Sequence, residues 1–248
     1  MSVLRIEEYG DVLKVILKPT KTFPVGYFYT DNNPIARELI ESYTWHLDKQ
    51  GKGNYVIATT YSRLTGQKKL YFHQEYAFRL LGYYPDYIDH INGVDLDNRD
   101  ENLNEVTHQQ NIRNKPSIGY IIVLSHVFQP NYKLNGKQYF RGSYKTESEA
   151  LVATYNLRQE MYPDYNYNFY LDRRDDEDIV DLELTGKISS DEAIYLHVKR
   201  YAGTNPWFVY RYNLFDYCSQ HNITIPPFKL DNQGFMIHPV TKERLCPY

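Results

Sequence analysis

The stretch YIDHINGVDLDNRDENLNEVTHQQNIRNK, residues 87–115, concentrates side chains that can carry out hydrolysis. It places an acid and an imidazole side by side, Asp89 and His90, and adds asparagines at positions 102 and 111. A neutral imidazole can take a proton from water near pH 7. A carboxylate and an amide oxygen suit a hard cation that keeps most of its waters, such as Mg²⁺. These residue types therefore predict metal-assisted hydrolysis.

Two other interpretations of the same stretch are a calcium loop and a solvated polar loop. The spacing disfavours the calcium loop, because Arg99 stands where a third ligand is needed and Asp100 where the loop needs glycine. The solvated loop beside a chance Asp-His pair remains an alternative. We expect the four loop acids to do no more than solvate the loop; they are Asp95, Asp97, Asp100 and Glu101.

Local signals predict a hairpin that carries the acid and the imidazole. Asn92-Gly93 is a strong tight-turn dipeptide. Residues 88–91 and 103–106 are expected to form the two short strands. Because Asp89 and His90 are adjacent on a strand, they should lie on opposite faces.

A helix should follow the hairpin. Thr107 and Gln110 form a capping box at its start, and the helix should end before Pro116. If this helix packs against the hairpin, it brings Asn111 close to Asp89. The predicted order is strand, loop, strand, helix.

Asn102 follows His90 by twelve residues, and Asn111 follows Asn102 by nine. This spacing, in the pieces IDHINGVDLDNRDENL and NEVTHQQNIRNK, resembles the HNH motif of ββα-metal nucleases. The similarity is closest to HNH endonucleases of the phage and intron homing type, and it extends over roughly residues 40–116. Two positions depart from that family, in which Gln74 is often arginine and Glu105 is often tryptophan.

The resemblance implies a DNA endonuclease that uses one metal ion, Mg²⁺ or alternatively Mn²⁺, and no zinc. It implies that His90 is the general base and that Asp89 and Asn111 are the metal ligands. Asn102 would hold the loop and orient the His90 ring without binding the metal. The implied products are a 5′-phosphate and a 3′-hydroxyl.

The stretch KLNGKQYFRGSYKTESEALVATYNLRQE resembles the three-stranded-sheet-plus-helix DNA-binding domain of the apetala/ethylene-response type. Such a domain would lay its sheet in a groove of double-stranded DNA. A solvated sheet face is the alternative. The expected DNA contacts, including two on the helix of the HNH motif, are Arg113, Lys115, Lys133, Lys137, Tyr139, Arg141 and Lys145.

The composition is that of a globular protein, with 248 residues of which 42% are hydrophobic and 24% charged. We predict an α+β fold. An N-terminal β-hairpin region leads into a ββα-metal HNH module, then a three-stranded sheet plus helix, then a Tyr-rich α+β segment. The predicted boundaries are 1–45, 46–116, 117–163 and 164–248. The last range opens with ten acidic and three basic residues between Asp164 and Glu192, which we interpret as a linker or peripheral segment.

Cysteine usage and hydropathy predict a cytoplasmic protein, in the host cytoplasm if a phage encodes it. Cys218 and Cys246 lie far apart, which disfavours a zinc site or a disulfide framework. No stretch approaches the roughly 20 apolar residues of a membrane span. The net charge is −3, but the acidic stretch leaves the remainder net positive, which permits a DNA partner.

Two further functions remain open. One is a DNA-binding or phage-assembly-associated protein that keeps the HNH scaffold with little or no cleavage. The other is a nuclease that binds a protein partner through its C-terminal segment. The complete set of Asp89, His90, Asn102 and Asn111 favours cleavage.

Overall fold

A computed structural model gives the fold of the chain. It describes residues 3–50, 53–63, 66–113, 120–124, 127–134, 137–140, 142–145, 150, 153, 173, 175–204, 208–209, 214–225, 229–230 and 236–237. The chain forms two compact units, Met1–Arg113 with Tyr170–Ala193 and Asn114–Phe169 with Ile194–Tyr248. Short antiparallel sheets and few helices make the fold mixed α+β, which confirms the predicted class. The predicted module boundaries stay a prediction. No helix in the described ranges is long and apolar enough to cross a membrane.

The first unit opens with a three-stranded antiparallel sheet and a helix: β1 (Val3–Tyr9), β2 (Val12–Leu17), β3 (Gly26–Asp31) and α1 (Pro34–Ser42). Alternate residues of β2 are buried, namely Leu13, Val15 and Leu17, as a sheet with one core face requires. The Asn33 side chain accepts a hydrogen bond from Ala36 N at 2.8 Å. This cap and the proline that follows it mark the start of α1.

A second antiparallel sheet and a helix follow: β4 (Trp45–Gln50), β5 (Gly53–Ser62), β6 (Gly66–Tyr71) and α2 (Phe72–Leu81). Trp45 and Phe72 are fully buried and meet edge to face, with ring centroids 5.1 Å apart. Gly82 ends α2 in the left-handed conformation at φ 82°, and its N–H donates to Phe78 O at 2.8 Å. After α2 the chain continues into residues 87–115, which contain the candidate site residues.

The predicted strand, loop, strand and helix are all present: β7 (Tyr87–His90), β8 (Leu103–Val106) and α3 (His108–Arg113). The strands pair antiparallel, and α3 packs against both. The capping box is formed as predicted. Thr107 N donates to Gln110 Oε1 at 2.8 Å, and Gln110 N donates to Thr107 Oγ1 at 3.2 Å.

The acidic stretch contains a helix, α4 (Glu177–Leu184), that belongs to the first unit. Its Val180 and Leu184 are buried in the same core as Phe28 and Leu39. The sequence predicts a linker here because charged residues dominate its composition. The apolar residues are nevertheless one helical turn apart, which gives a single buried stripe.

The second unit contains a three-stranded antiparallel sheet of β9 (Tyr120–Leu124), β10 (Val127–Leu134) and β11 (Lys137–Phe140). Ala150 and Ala153 are helical and buried, while most of the predicted helix around them lies outside the described residues. Phe208 and Val209 are helical, although the alternating residues WFVYRY (207–212) are typical of a strand. Further along the chain are α5 (Ser190–Thr204), α6 (Phe215–Gln220), β12 (Lys229–Leu230) and β13 (Met236–Ile237).

Leu184→Ala should destabilise the protein, because it empties part of the core beneath the first sheet. The expected loss in the free energy of unfolding is about 2–4 kcal/mol, measured by urea denaturation. Leu4→Ala is the matched control, since Leu4 is 55% exposed, and should change stability by less than about 0.5 kcal/mol. Equal effects of the two substitutions would contradict the buried position of α4.

Candidate active site

His90 ends β7 and is buried, with 6% of its surface exposed. Its carbonyl accepts a hydrogen bond from Gly93 N at 2.9 Å, which closes the predicted Asn92-Gly93 turn. Gly93 has φ 71°, a conformation that glycine adopts without strain. The turn directs the chain into residues 92–98, called the site loop below.

Asn98 is the hydrogen-bonding partner of the His90 ring. Asn98 Oδ1 lies 3.4 Å from His90 Nε2, and Asn98 Nδ2 donates to the Leu96 carbonyl at 3.3 Å. Because the amide NH₂ is directed to Leu96, the oxygen faces the ring and can only accept. We therefore expect the neutral imidazole to carry its proton on Nε2 and to present Nδ1 as its basic atom.

Asp95 lies beside that basic atom. His90 Nδ1 and Asp95 Oδ1 are 4.0 Å apart, so a carboxylate lies next to this ring nitrogen. A Cβ at Gly53 would lie 2.2 Å from Asp95 Oδ2, so this position of the carboxylate requires glycine there. The expectation that Asp95 only solvates the loop is wrong.

Asp97 is also more than a solvating acid, since it is fully buried. Arg99 binds both of its oxygens, with Nε to Oδ1 at 2.8 Å and Nη2 to Oδ2 at 2.9 Å, and Asn92 Nδ2 donates to Oδ2 at 2.9 Å. A buried carboxylate needs such partners to offset its lost hydration. Asp100 and Glu101 are exposed, which agrees with the expectation for them.

Asn102 is buried and bridges the two ends of the site loop. Its Oδ1 accepts from Asn92 N at 2.9 Å, and its Nδ2 donates to the Asp97 carbonyl at 2.7 Å. These contacts match the loop-holding role implied for Asn102. The ring of His90 contacts Asn98, so Asn102 acts on the ring through the loop that it closes.

The site loop pairs with the edge of the first sheet. Tyr29 N donates to Leu96 O at 2.8 Å, and Asn98 N donates to Tyr29 O at 2.9 Å. This is a parallel bridge between β3 and the loop. Val94 and Leu96 place their side chains in the core beneath. The residues that face the His90 ring are therefore fixed by a strand about seventy residues earlier in the chain.

Asp89 and Asn111, the expected metal ligands, are both half-buried. Asp89 lies directly opposite Asn104 in the β7–β8 pair, and α3, which carries Asn111, packs on both strands. Carboxylate and amide oxygens on adjacent elements fit a hard cation such as Mg²⁺. Among the described residues, no three His, Cys, Asp or Glu side chains gather as a metal cluster.

Aromatic rings surround the buried side of His90. The His73 ring meets it edge to face at 5.1 Å between centroids, and Tyr55 lies 6.5 Å from His90 and 5.8 Å from His73. His73 is buried, and no group that the structure describes pairs with its Nδ1. Burial, and secondly the charge of His90, hold the pKa of His73 well below its ordinary value. His73 is therefore a neutral ring in the wall of the site.

The expected DNA-contacting residues are described in part. Arg113 is the last residue of α3, and Lys145 is exposed. The strand register sets Lys133 opposite Gln138, the residue between Lys137 and Tyr139. Lys115 and Arg141 lie outside the described residues. The role of all seven in DNA binding stays a prediction.

A comparison with protein families supports the nuclease interpretation of this site. Residues 71–113 match the family model of an HNH endonuclease. The matched range begins at the last residue of β6, includes His73 and the whole site loop, and ends with α3. It supports an HNH nuclease, and with it a DNA substrate. No curated protein and no solved structure matches the chain.

The proton of the neutral His90 ring should be found on Nε2. In ¹⁵N-edited NMR spectra at a pH where His90 is neutral, we expect the shifts of an Nε2–H tautomer. Asn98→Ala removes the acceptor and should mix the two tautomers, whereas Asn54→Ala on β5 is the matched control and should not. A dominant Nδ1–H form in the wild type would contradict the assignment.

The low pKa of His73 makes stability depend on pH. Below the unfolded-state value of 6.5, the unfolded chain binds a proton that the folded chain rejects. The free energy of unfolding should therefore decrease as the pH is lowered below that value. His73 should contribute up to about 1.4 kcal/mol per pH unit to this decrease. His73→Phe should flatten the urea-derived stability profile between about pH 6.5 and 5; an unchanged slope would contradict the buried neutral ring.

Proposed function

We propose that this chain is a metal-dependent HNH DNA endonuclease that hydrolyses phosphodiester bonds, with His90 as the general base and one Mg²⁺ held by Asp89 and Asn111. The observation that carries the proposal is the buried His90 ring, whose Nε2 lies 3.4 Å from Asn98 Oδ1 and whose neighbour in the chain is an acid. The HNH endonuclease match covers the same residues.

His90 performs the proton transfer in this mechanism. Nδ1 accepts a proton from the attacking water as the water oxygen bonds to phosphorus. The bond from phosphorus to the 3′-oxygen breaks, and that oxygen takes up a proton to become a hydroxyl. The products are a 5′-phosphate and a 3′-hydroxyl. Asp95, 4.0 Å from Nδ1, stabilises the imidazolium that forms.

Asp89 and Asn111 hold the cation in the proposal, and Mn²⁺ should replace Mg²⁺ there. When bound, the ion supplies positive charge against the phosphate and leaving oxygens. Asn102 acts on neither substrate nor metal and is a positioning residue. It keeps the loop closed so that Asn98 faces the ring.

DNA binding extends beyond the site in this proposal. Arg113, at the end of α3, and Lys115 are expected to hold phosphates next to the site. The sheet with Lys133, Lys137 and Tyr139, together with Arg141 and Lys145, is expected to give sequence preference, as in homing-type enzymes. The support for this part is the likeness of residues 133–160 to apetala-type domains. Each phosphate contact that is lost should lower the slope of log binding constant against log salt concentration by about one in magnitude.

Cleavage fits the chain better than a binding scaffold that has lost activity. The acid, the imidazole and both asparagines are present, and the site loop is hydrogen-bonded in detail around them. A scaffold used only for binding needs none of this order around His90.

Plasmid cleavage tests the proposal. Supercoiled plasmid incubated with the protein and Mg²⁺ or Mn²⁺ should become nicked or linear. His90→Ala should lower the rate by about a hundredfold or more while DNA binding persists in a gel-shift assay. His46→Ala, on β4, is the matched histidine control and should cut like the wild type.

Asp89→Ala distinguishes the metal role from the base role. It should weaken activity and raise the metal concentration needed, because it removes a ligand. Failure of the wild type to cut any DNA with either ion would overturn the enzyme proposal and favour a binding protein.

A further inference from the structure

The site loop is also held by a segment that lies far outside the HNH match. Arg173 N donates to the Asn92 carbonyl at 2.8 Å, at the first residue of the loop. The other end of the loop pairs with Tyr29. Residue 173 follows the HNH match by sixty positions, yet it lies in the same compact unit.

Asp181 on α4 connects to the second anchor of the loop. Its Oδ1 accepts hydrogen bonds from both Lys14 Nζ and the Tyr29 hydroxyl. Burial opposes ionisation of this carboxyl, but the two donors outweigh it and lower the pKa of Asp181 below its ordinary value. Asp181 therefore ties α4, as an anion, to the strand residue that pairs with the site loop.

The loop and α4 also share one core. Val94 and Leu96 from the loop belong to the same buried cluster as Val180 and Leu184. Burial of four such side chains resists any sliding of the loop relative to the helix, because cores are close-packed. The site loop is thus connected to Arg173 by a backbone hydrogen bond, and to α4 through the Asp181–Tyr29 contact and the shared apolar core.

Arg173 itself is not placed for stability alone. It is 8% exposed, and its Nη1 binds Glu183 Oε2 at 2.6 Å. Its Nε and Nη2 are buried and find no partner among the described residues. A buried guanidinium with only part of its donors satisfied costs free energy. The chain tolerates that cost at the point where the Arg173 backbone meets the site loop.

We propose that Arg173 and residues 175–184, together called the brace below, are a positioning element of the active site. Asp181 acts through Tyr29, and Arg173 acts through the Asn92 carbonyl. Together they determine the positions of Asn98 and Asp95 relative to the His90 ring. The catalytic consequence rests on the proposed endonuclease function, whereas the structural consequence does not.

Asp181→Asn tests the brace, because it removes the negative charge with little change in shape. We expect the Asn98 amide, which donates to Tyr29 O, to exchange its hydrogen about tenfold faster. Exchange at Val56, in the buried part of β5, should stay unchanged. We also expect kcat to fall by about tenfold to a hundredfold, with DNA affinity as in the wild type.

Two variants make the outcome decisive. Asp191→Asn, an exposed acid on α5, is the matched control and should match the wild type in every measurement. Tyr29→Phe removes the hydroxyl and keeps the backbone pairing, so it should reproduce the loop effect even if Asp181→Asn folds poorly. Wild-type exchange and kcat in Tyr29→Phe, or faster exchange spread evenly over the unit, would overturn the brace.

The two proposals fail in different ways. If the wild type cuts no DNA, the endonuclease function fails, and the exchange measurement still decides the brace. If the wild type cuts and the Asp181→Asn and Tyr29→Phe variants keep its kcat, the brace fails and the endonuclease function stands.

Discussion

The pairing of the site loop with Tyr29 is the constraint on which the rest of the active site depends. Two backbone hydrogen bonds fix the loop along the edge of β3, and the side chains of Val94 and Leu96 follow into the core. Because Asn98 is one of the paired residues, its side chain is fixed in front of the His90 ring.

The density of polar groups in this loop is a consequence of its burial. A loop that leaves solvent must satisfy its own amides and carbonyls. Asn92 does this within the loop, Asn102 does it from four residues beyond the loop, and Arg99 neutralises the buried Asp97. The same polar residues that resemble a solvated surface loop are thus the internal bonds of a rigid one. That rigidity is what a proton-transferring imidazole needs, since small misplacements of catalytic groups are costly.

The local features of the fold were predictable from the sequence. Asn33, the Asn92-Gly93 turn and the Thr107 capping box all follow from short-range rules on caps and turns, and all are present. The spacing from His90 to the two later asparagines is likewise local in sequence. The contacts of Tyr29 and Asp181 were not predictable, because they join residues about 150 positions apart and leave no periodic signal. The role of Asp95 was missed for the same reason, since only the folded loop brings it to Nδ1.

The measurement that most directly tests the metal-dependent site is paramagnetic broadening by Mn²⁺ in NMR spectra of the protein. We predict that substoichiometric Mn²⁺ broadens the amide signals of Asp89, His90 and Asn111 before those of other residues. Excess Mg²⁺ should reverse this broadening, and Asp89→Ala should abolish it. Broadening confined to the acidic residues around α4, with Asp89 and Asn111 unaffected, would contradict the account.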